Sequence, residues 1–126
     1  MSTENPIRDE IRKAISEHEV ILFMKGRPEQ PMCGFSARTV AALDALGASY
    51  AAVDILPDPR IRQELSAISN WPTIPQLFVK GELVGGCDIV TEMYESGELA
   101  NTLGLEQPAE TPAGDDAPPL QIQNKL

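Results

Sequence analysis

The sequence has few aromatic residues, few cysteines, one histidine and a shortage of positive charge. Its 126 residues include three Phe, two Tyr, one Trp, two Cys and one His. Two cysteines are too few for the disulfide framework of a small secreted domain. Lys and Arg number 10 against 19 Asp and Glu, for a net charge of −9. Because nucleic acids attract basic surfaces, this charge argues against general nucleic-acid binding.

Long hydrophobic runs are also missing. No apolar stretch approaches the roughly 20 residues that cross a bilayer, so we expect no membrane span. The first residues, Met1 to Asn5, lack the basic leader and apolar core of a signal peptide. We therefore expect a reducing, cytoplasmic compartment, in which Cys33 and Cys87 are free for catalysis, metal binding or burial.

Composition divides the chain into two parts. Hydrophobic residues make up 42% and charged residues 23% of the whole, as is typical of a globular domain. Residues 106–126 instead contain four prolines, four acids, one lysine and no aromatic residue. Such a segment cannot bury enough apolar surface to offset its ordering entropy. The sequence predicts one domain over residues 1–105 and a disordered, acidic, Pro-rich tail over residues 106–126.

Helix and strand signals alternate through the first 105 residues. Ile7, Ile11 and Ile15 recur every four residues behind Asn5-Pro6, as on one face of a helix. The run Val20–Met24 is continuously apolar, which favours a strand covered on both faces. Similar reasoning predicts a helix over 34–46, a strand over 50–53, a helix from Asp58 to about Ser69, strands over 76–79 and 82–84 joined by a tight turn at Lys80-Gly81, and helices over 88–95 and 98–103.

This order of elements predicts an α/β fold. The first strand, helix and strand form a unit that produces parallel pairing with a right-handed crossover. The two closing strands form a hairpin and add antiparallel pairing. We therefore expect a mixed four-stranded sheet with helices on both faces.

Chemistry is concentrated where the first strand leads into the second helix. Cys33 lies at the start of that helix, where free backbone N–H groups and the positive end of the helix dipole favour a thiolate. Lys25, at the end of the strand, can add positive charge. The residue three positions later is Ser36, where a dithiol redox motif would carry a resolving cysteine. A thiolate without that partner suits glutathione-dependent exchange or metal binding.

Four segments in order resemble the monothiol, CGFS-type glutaredoxins, especially their single-domain bacterial members. They are Lys25-Gly26, Cys33-Gly34-Phe35-Ser36, Trp71-Pro-Thr-Ile-Pro75 and Gly85-Gly-Cys-Asp88. The resemblance covers roughly residues 6–104 and implies a thioredoxin fold of the glutaredoxin type.

The resemblance also implies a function. In this family a [2Fe–2S] cluster lies between two protomers, with Cys33 of each and one glutathione thiolate on each as ligands. Such a homodimer transfers its labile cluster to acceptor proteins and forms mixed complexes with BolA-like proteins. The alternative is a glutathione-dependent thiol–disulfide oxidoreductase acting on glutathionylated proteins, with weak activity.

The resemblance assigns the remaining site residues. Lys25 and Arg62 correspond to residues that meet the glycyl carboxylate of glutathione. Ile74, before a cis proline at Pro75, corresponds to a residue that pairs with the glutathione main chain. Cys87 and Asp88 begin a helix suited to the γ-glutamyl end. The other assignments are Cys33 as catalytic residue and metal ligand, Phe35 as a shield for the thiol and cluster, and Cys87 as either a partly buried helix-start residue or a second redox thiol.

Overall fold

The computed structural model describes residues 6–105. The proposed cap at Asn5 and the tail over residues 106–126 lie outside the described residues. Within the described range five helices and six strands follow one another. They are α1 Pro6–Glu17, β1 Val20–Met24, β2 Gly26–Arg27, β3 Gln30–Pro31, α2 Gly34–Ala45, β4 Ala51–Asp54, α3 Pro59–Ser69, β5 Gln76–Val79, β6 Glu82–Gly85, α4 Cys87–Ser96 and α5 Glu98–Thr102.

The main sheet has four strands in the order β4-β1-β5-β6. β1 pairs with β4 in parallel, and with β5 in the antiparallel sense. β5 and β6 form the expected antiparallel hairpin. Lys80 and Gly81 both have positive φ, 53° and 84°, as a two-residue type I′ turn requires. The predicted mixed sheet and its tight turn are confirmed.

β1 explains why helices cover both faces of the sheet. Successive side chains of a strand point to opposite faces. Leu22 and Met24 join the core formed with α2, α4 and α5. Ile21 and Phe23 join the core formed with α1 and α3, where the Phe23 and Phe78 rings meet edge to face at 5.8 Å. A continuously apolar strand therefore fills two cores at once.

Several element ends differ by one residue from the sequence prediction: α2 ends at Ala45, β6 at Gly85 and α5 at Thr102, and α4 spans Cys87–Ser96. β4 spans Ala51–Asp54 rather than 50–53, because its parallel register places Asp54 opposite Met24. The segment before Cys33 contains a small hairpin of β2 and β3, which the sequence did not indicate. Strands of two residues are too short to show any hydrophobic periodicity, so the sequence carries no signal for them.

The helices of the described domain are short. None of those between residues 6 and 105 combines the length and the apolarity needed to span a bilayer. α1 and α3 instead turn one apolar face toward the sheet, and their exposed faces carry ion pairs. Arg8 of α1 contacts Glu64 of α3 at 2.7 Å, which joins the two helices.

Candidate functional site

Cys33 lies at the edge of the sheet where β1 and β4 end. It is the N-cap residue of α2, in extended conformation with φ −155° and ψ 138°. Its carbonyl accepts the first bond of the helix from the Ala37 amide at 2.9 Å. The thiol is partly exposed and free. This position brings it within the field of the free amides at the start of α2.

The start of α2 favours the charged form of this thiol. The backbone amide of Ser36 has the largest influence and lowers the pKa of Cys33. Burial acts against it, and the Phe35 amide and the positive charge of Lys25 lower the pKa further. The side chain makes no capping hydrogen bond, so the amides act as oriented dipoles near the sulfur. More thiolate is therefore present near neutral pH than for an ordinary cysteine.

The pH dependence of alkylation tests whether the pKa of Cys33 is lowered. Reactivity with iodoacetamide should rise with pH as the thiolate forms and level off above the pKa of Cys33, at lower pH than for a model thiol. Replacing Lys25 with alanine should raise that pKa only slightly, because the amides dominate and salt screens an exposed charge. Lys80→Ala, at the far end of the sheet, is the matched control. A large upward shift in Lys25→Ala would contradict the dominance of the amides.

Ser36 stands where a dithiol motif would carry a resolving cysteine, and it also has a structural role. Its side chain is fully buried, and its Oγ accepts a hydrogen bond from the Lys25 amide at 3.0 Å. The hydroxyl therefore ties the end of β1 to the first turn of α2. The same contact holds Lys25 beside Cys33.

A second set of bonds shapes the loop before Cys33. The Lys25 carbonyl accepts from the Met32 amide at 2.9 Å. Asp54 Oδ1 accepts from the amides of Gly26 and Leu56, both at 2.9 Å. The sequence did not single out Asp54; its only signal was an acid directly after the strand predicted over 50–53. Its carboxylate holds the backbone at Gly26, where the loop before Cys33 begins, close to the backbone at Leu56.

A cavity of about 190 Å³ opens on the same edge of the fold. It lies between the start of α2, the loop that precedes β5 and the start of α4. Ile74 and Pro75 lie in that loop, and the peptide bond between them is cis, as expected. The lining residues are Phe35, Trp71, Thr73, Ile74, Pro75, Gly86, Cys87, Asp88 and Ile89.

The structure brings four of the seven predicted site residues together in the cavity wall and leaves Cys33, Lys25 and Arg62 outside it. Phe35, Ile74, Cys87 and Asp88 all line it. Lys25 acts on the thiol electrostatically. Arg62 is exposed on α3 and does not line the cavity. Folding thus assembles one cavity from segments more than 50 residues apart in the sequence.

The second cysteine has a different environment. Cys87 is buried, 7% exposed, and its Sγ lies 3.9 Å from Thr91 Oγ1 on the next turn of α4. It carries no disulfide. This burial agrees with the interpretation of Cys87 as a small residue at a helix start.

Three residues that sequence reasoning did not place in the site shape the cavity. Gln76 is fully buried and its Nε2 donates to the carbonyls of Trp71 and Thr73, at 3.1 and 3.0 Å. A Cβ on Gly86 would lie 3.2 Å from Trp71 Nε1 and 3.2 Å from the Pro75 carbonyl. Glycine therefore permits this close approach. Trp71 Nε1 is buried and has no hydrogen-bond partner among residues 6–105.

One chain does not supply a complete metal site in the part that the structure describes. No group of three or more His, Cys, Asp or Glu residues there is placed to hold a metal ion.

Comparison with known proteins agrees with this geometry. The family model described as Glutaredoxin matches residues 20–84, more than half of the chain. Glutaredoxin 4 of Escherichia coli K12 is 58% identical over 91 residues, covering 72% of this chain and 79% of that protein. A probable monothiol glutaredoxin 2 of Rickettsia felis is 50% identical over 101 residues, covering 80% and 97%. The chain belongs to the glutaredoxin family, in its monothiol branch.

Solved glutaredoxin structures share the fold. Reduced apo GrxS14 of poplar superposes with a TM-score of 0.69 at 44% identity, covering 78% of this chain and 90% of that one. A buckwheat glutaredoxin–glutathione complex reaches 0.71 at 24% identity, covering 82% and 94%. This glutaredoxin has the predicted thioredoxin-type sheet. It presents a partly exposed thiol at Cys33, and the serine in the position of a resolving cysteine, Ser36, is buried.

Proposed function

We propose that this monothiol glutaredoxin carries a [2Fe–2S] cluster as cargo between two copies of the chain and delivers it to acceptor proteins. Cys33 of each copy supplies one sulfur ligand, and glutathione held beside it supplies another. Four sulfurs for two irons satisfy the usual ligation of such clusters. Because two of the ligands are not part of the protein, the cargo is released readily. The proposal includes mixed complexes with BolA-like proteins and work in a reducing, cytoplasmic compartment.

The main support for this proposal is Cys33, a partly exposed cysteine whose pKa is lowered and which has no second cysteine three residues later. The amides of Ser36 and Phe35 lower the pKa of Cys33 and so favour the thiolate that binds iron. Ser36 stands where a dithiol motif would carry a resolving cysteine; it is buried, and its hydroxyl accepts a hydrogen bond from the Lys25 amide. Among the described residues no group of three or more His, Cys, Asp or Glu side chains could hold a metal ion by itself, which agrees with recruiting glutathione and a second copy.

The cavity has the chemistry to hold glutathione. Glutathione supplies two carboxylates, one ammonium and several amide groups when it is bound. The amides at the start of α4, at Cys87 and Asp88, suit a carboxylate, and the Asp88 side chain suits an ammonium. The buried Trp71 Nε1–H lacks a partner and is available as a further donor. Lys25 and Arg62 would meet the other carboxylate, and Ile74 would pair with the main chain.

A second function is favoured by the same lowered pKa. The Cys33 thiolate can attack the glutathionyl sulfur of a glutathionylated protein, which releases the protein thiolate and leaves a mixed disulfide on Cys33. A glutathione thiolate then attacks that disulfide, which frees Cys33 and forms glutathione disulfide. Without a resolving thiol each turnover depends on free glutathione.

Anaerobic reconstitution with iron, sulfide and glutathione distinguishes the two functions. Cluster carriage predicts a coloured dimer, seen by visible absorption and sizing, that requires glutathione and Cys33. A colourless monomer that removes glutathione from a mixed disulfide would support the oxidoreductase instead. The two outcomes differ because iron and a mixed disulfide compete for one thiolate.

Replacing Arg62 with alanine tests the glutathione site. We expect glutathione affinity to fall about fivefold to tenfold, the order expected for one exposed charge-assisted hydrogen bond. Cluster retention in a glutathione titration should shift to correspondingly higher concentrations. Isothermal titration calorimetry and visible absorption measure the two effects.

Arg60→Ala is the matched control on the same helix. Arg60 is exposed, and its guanidinium bonds both oxygens of Asp58, at 3.0 and 2.8 Å. Its removal changes the net charge equally and should leave glutathione affinity within twofold. Equal losses in both variants would reduce the role of Arg62 to general electrostatics, and no loss in either would remove Arg62 from the site.

A further inference from the structure

Gln76 is a polar residue at the start of a fully buried strand. The other residues of β5, Leu77, Phe78 and Val79, are apolar and buried. Gln76 is as buried as they are, and its Oε1 has no hydrogen-bond partner among residues 6–105. A buried amide with one unpaired polar atom costs stability compared with an apolar side chain of similar size. Packing alone therefore does not account for an amide at this position.

The amide nitrogen of Gln76 holds the loop of residues 71–75, which we call the proline loop. Its Nε2 donates to the carbonyls of Trp71 and Thr73, at 3.1 and 3.0 Å. In the described part of the chain, no backbone–backbone hydrogen bond outside helices and strands involves residues 71–75. The Trp71 amide donates to the Ser69 hydroxyl instead, at 3.2 Å. The two bonds from Gln76 therefore supply support that the backbone of the loop does not supply itself.

The proline loop forms one wall of the cavity, whereas Gln76 does not line it. The lining residues of this wall are Trp71, Thr73, Ile74 and Pro75. The loop also packs closely against the start of α4, because a Cβ on Gly86 would lie 3.2 Å from Trp71 Nε1 and 3.2 Å from the Pro75 carbonyl oxygen. A shift of the proline loop would therefore change the distance between two walls of the cavity.

β5 is a rigid support for these bonds. It lies inside the main sheet, between β1 and β6. The Gln76 backbone is opposite Phe23 of β1 in the antiparallel register, and Phe23 is buried in the core formed with α1 and α3. A site supported by a packed strand is held more accurately than one that depends on a loop alone. The Gln76 side chain therefore ties an irregular loop to the centre of the sheet.

We propose that Gln76 is a positioning residue for glutathione, which fixes the proline loop in its binding arrangement without contacting glutathione itself. This inference rests on the glutathione site proposed above and adds to it a residue that lies outside the cavity. The physical link is a change in population. Without the two bonds the loop adopts several arrangements, and the apparent affinity falls in proportion to the fraction of chains in the binding one.

The test compares glutathione binding by Gln76→Met and by the unmodified full-length chain. Methionine is unbranched and of similar length, so it fills the buried space while removing both donors. Reduced glutathione should bind the reduced variant about tenfold more weakly, which is the effect expected from losing two hydrogen bonds of ordinary strength. Nuclear magnetic resonance titration measures the affinity. Between the two free chains, amide shifts should differ most in residues 71–75.

Further measurements separate positioning from other effects. The pKa of Cys33, taken from the pH dependence of alkylation, should be the same in Gln76→Met, because the amides at the start of α2 set it. The glutathione concentration that retains the cluster in reconstitution should rise. Gln76→Leu repeats the titration with a side chain of another shape, and a loss of similar size in both variants would assign the effect to the missing donors.

Val79→Ala is the matched control in the same strand. Val79 is buried at the other end of β5, opposite Val20 of β1. The substitution deletes buried methyl groups and should lower the melting temperature. Glutathione should still bind within about twofold of the unmodified chain, because the proline loop keeps both bonds from Gln76.

The results that would overturn this proposal differ from those that would overturn cluster carriage. Unchanged affinity in Gln76→Met would remove Gln76 from the site, and a loss in Gln76→Met but not in Gln76→Leu would assign the effect to shape. Equal losses in Gln76→Met and Val79→Ala would assign it to stability, and a shifted Cys33 pKa would assign it to the thiol.

Failure of the proposed function is recognised separately. If reconstitution of the unmodified chain gives no coloured dimer, cluster carriage fails, and the glutathione titration still decides the role of Gln76. If the unmodified chain binds no glutathione, the glutathione site and the role of Gln76 are both overturned. If it binds glutathione and both Gln76 variants bind it equally well, the site stands and the role of Gln76 alone is overturned.

Discussion

Replacing Cys33 with serine is expected to abolish cluster binding and leave the fold intact. The thiol is the cargo ligand in our proposal, and a hydroxyl is a poor ligand for the iron of such clusters. The Cys33 side chain makes no capping hydrogen bond, and serine is a favourable N-cap residue. The melting temperature should therefore stay the same or rise slightly. Iron and sulfide per chain, visible absorption and thermal unfolding measure the result.

Cys87→Ser is the matched control for the loss of a thiol. Cys87 is buried, and its sulfur lies 3.9 Å from the Thr91 hydroxyl. This variant should still bind iron and sulfide in the same ratio to protein. Stoichiometric uptake by Cys33→Ser would rule out Cys33 as the ligand. Loss of uptake in both variants would make Cys87 part of the redox or ligand chemistry.

Replacing Gly26 with alanine should disrupt the site and destabilise the domain. Gly26 has a φ of 88°, and an added Cβ would lie 2.6 Å from the Gln30 carbonyl oxygen and 2.7 Å from the Met32 amide nitrogen. These are backbone atoms, so the loop itself must move. Strain of this kind costs on the order of 2–4 kcal/mol, which lowers the melting temperature of a small domain by roughly 10 °C or more.

The Gly26→Ala substitution should also alter the surroundings of Cys33. Met32 directly precedes it, and the Met32 amide bonds the Lys25 carbonyl. Moving this pair displaces Lys25 from the thiol and lowers cluster retention. Gly34→Ala is the control on the other side of Cys33, because an added Cβ there meets nothing within 4 Å. Alanine favours helix, so Gly34→Ala should be as stable as the unmodified chain or slightly more so. A Gly26→Ala protein of unchanged stability would show that the loop relaxes freely.

Hydrophobic periodicity and the residues that begin or end helices and strands predicted most of the fold. The apolar run at β1 and the stripe at Ile7, Ile11 and Ile15 are strong signals, and both elements form where expected. Asp58 caps α3 by accepting from the Arg60 amide at 3.0 Å, as its position before Pro59 indicated. Such signals are local, so the surrounding chain cannot change them easily.

Short or non-local features were less predictable. The hairpin of β2 and β3 has two residues per strand, and its pairing depends on contacts with α2 and β4. β4 begins and ends one residue later than predicted, because its register is set by pairing with β1. The roles of Asp54 and Gln76 also had no distinctive signal, because each acts by accepting or donating bonds to backbone that folding brings near.

By itself the sequence determined the five helices of residues 6–105 and the four strands of the main sheet, the family and the reactive thiol at a helix start. These follow from residue order, since periodicity, caps, the family's short motifs and the serine at position 36 are all local. Only the tertiary structure decided which residues share the cavity and that the Ser36 hydroxyl is buried against Lys25. It also decided that Met32, Phe35 and Leu56 are exposed. Those facts depend on packing between distant segments, which no local pattern encodes.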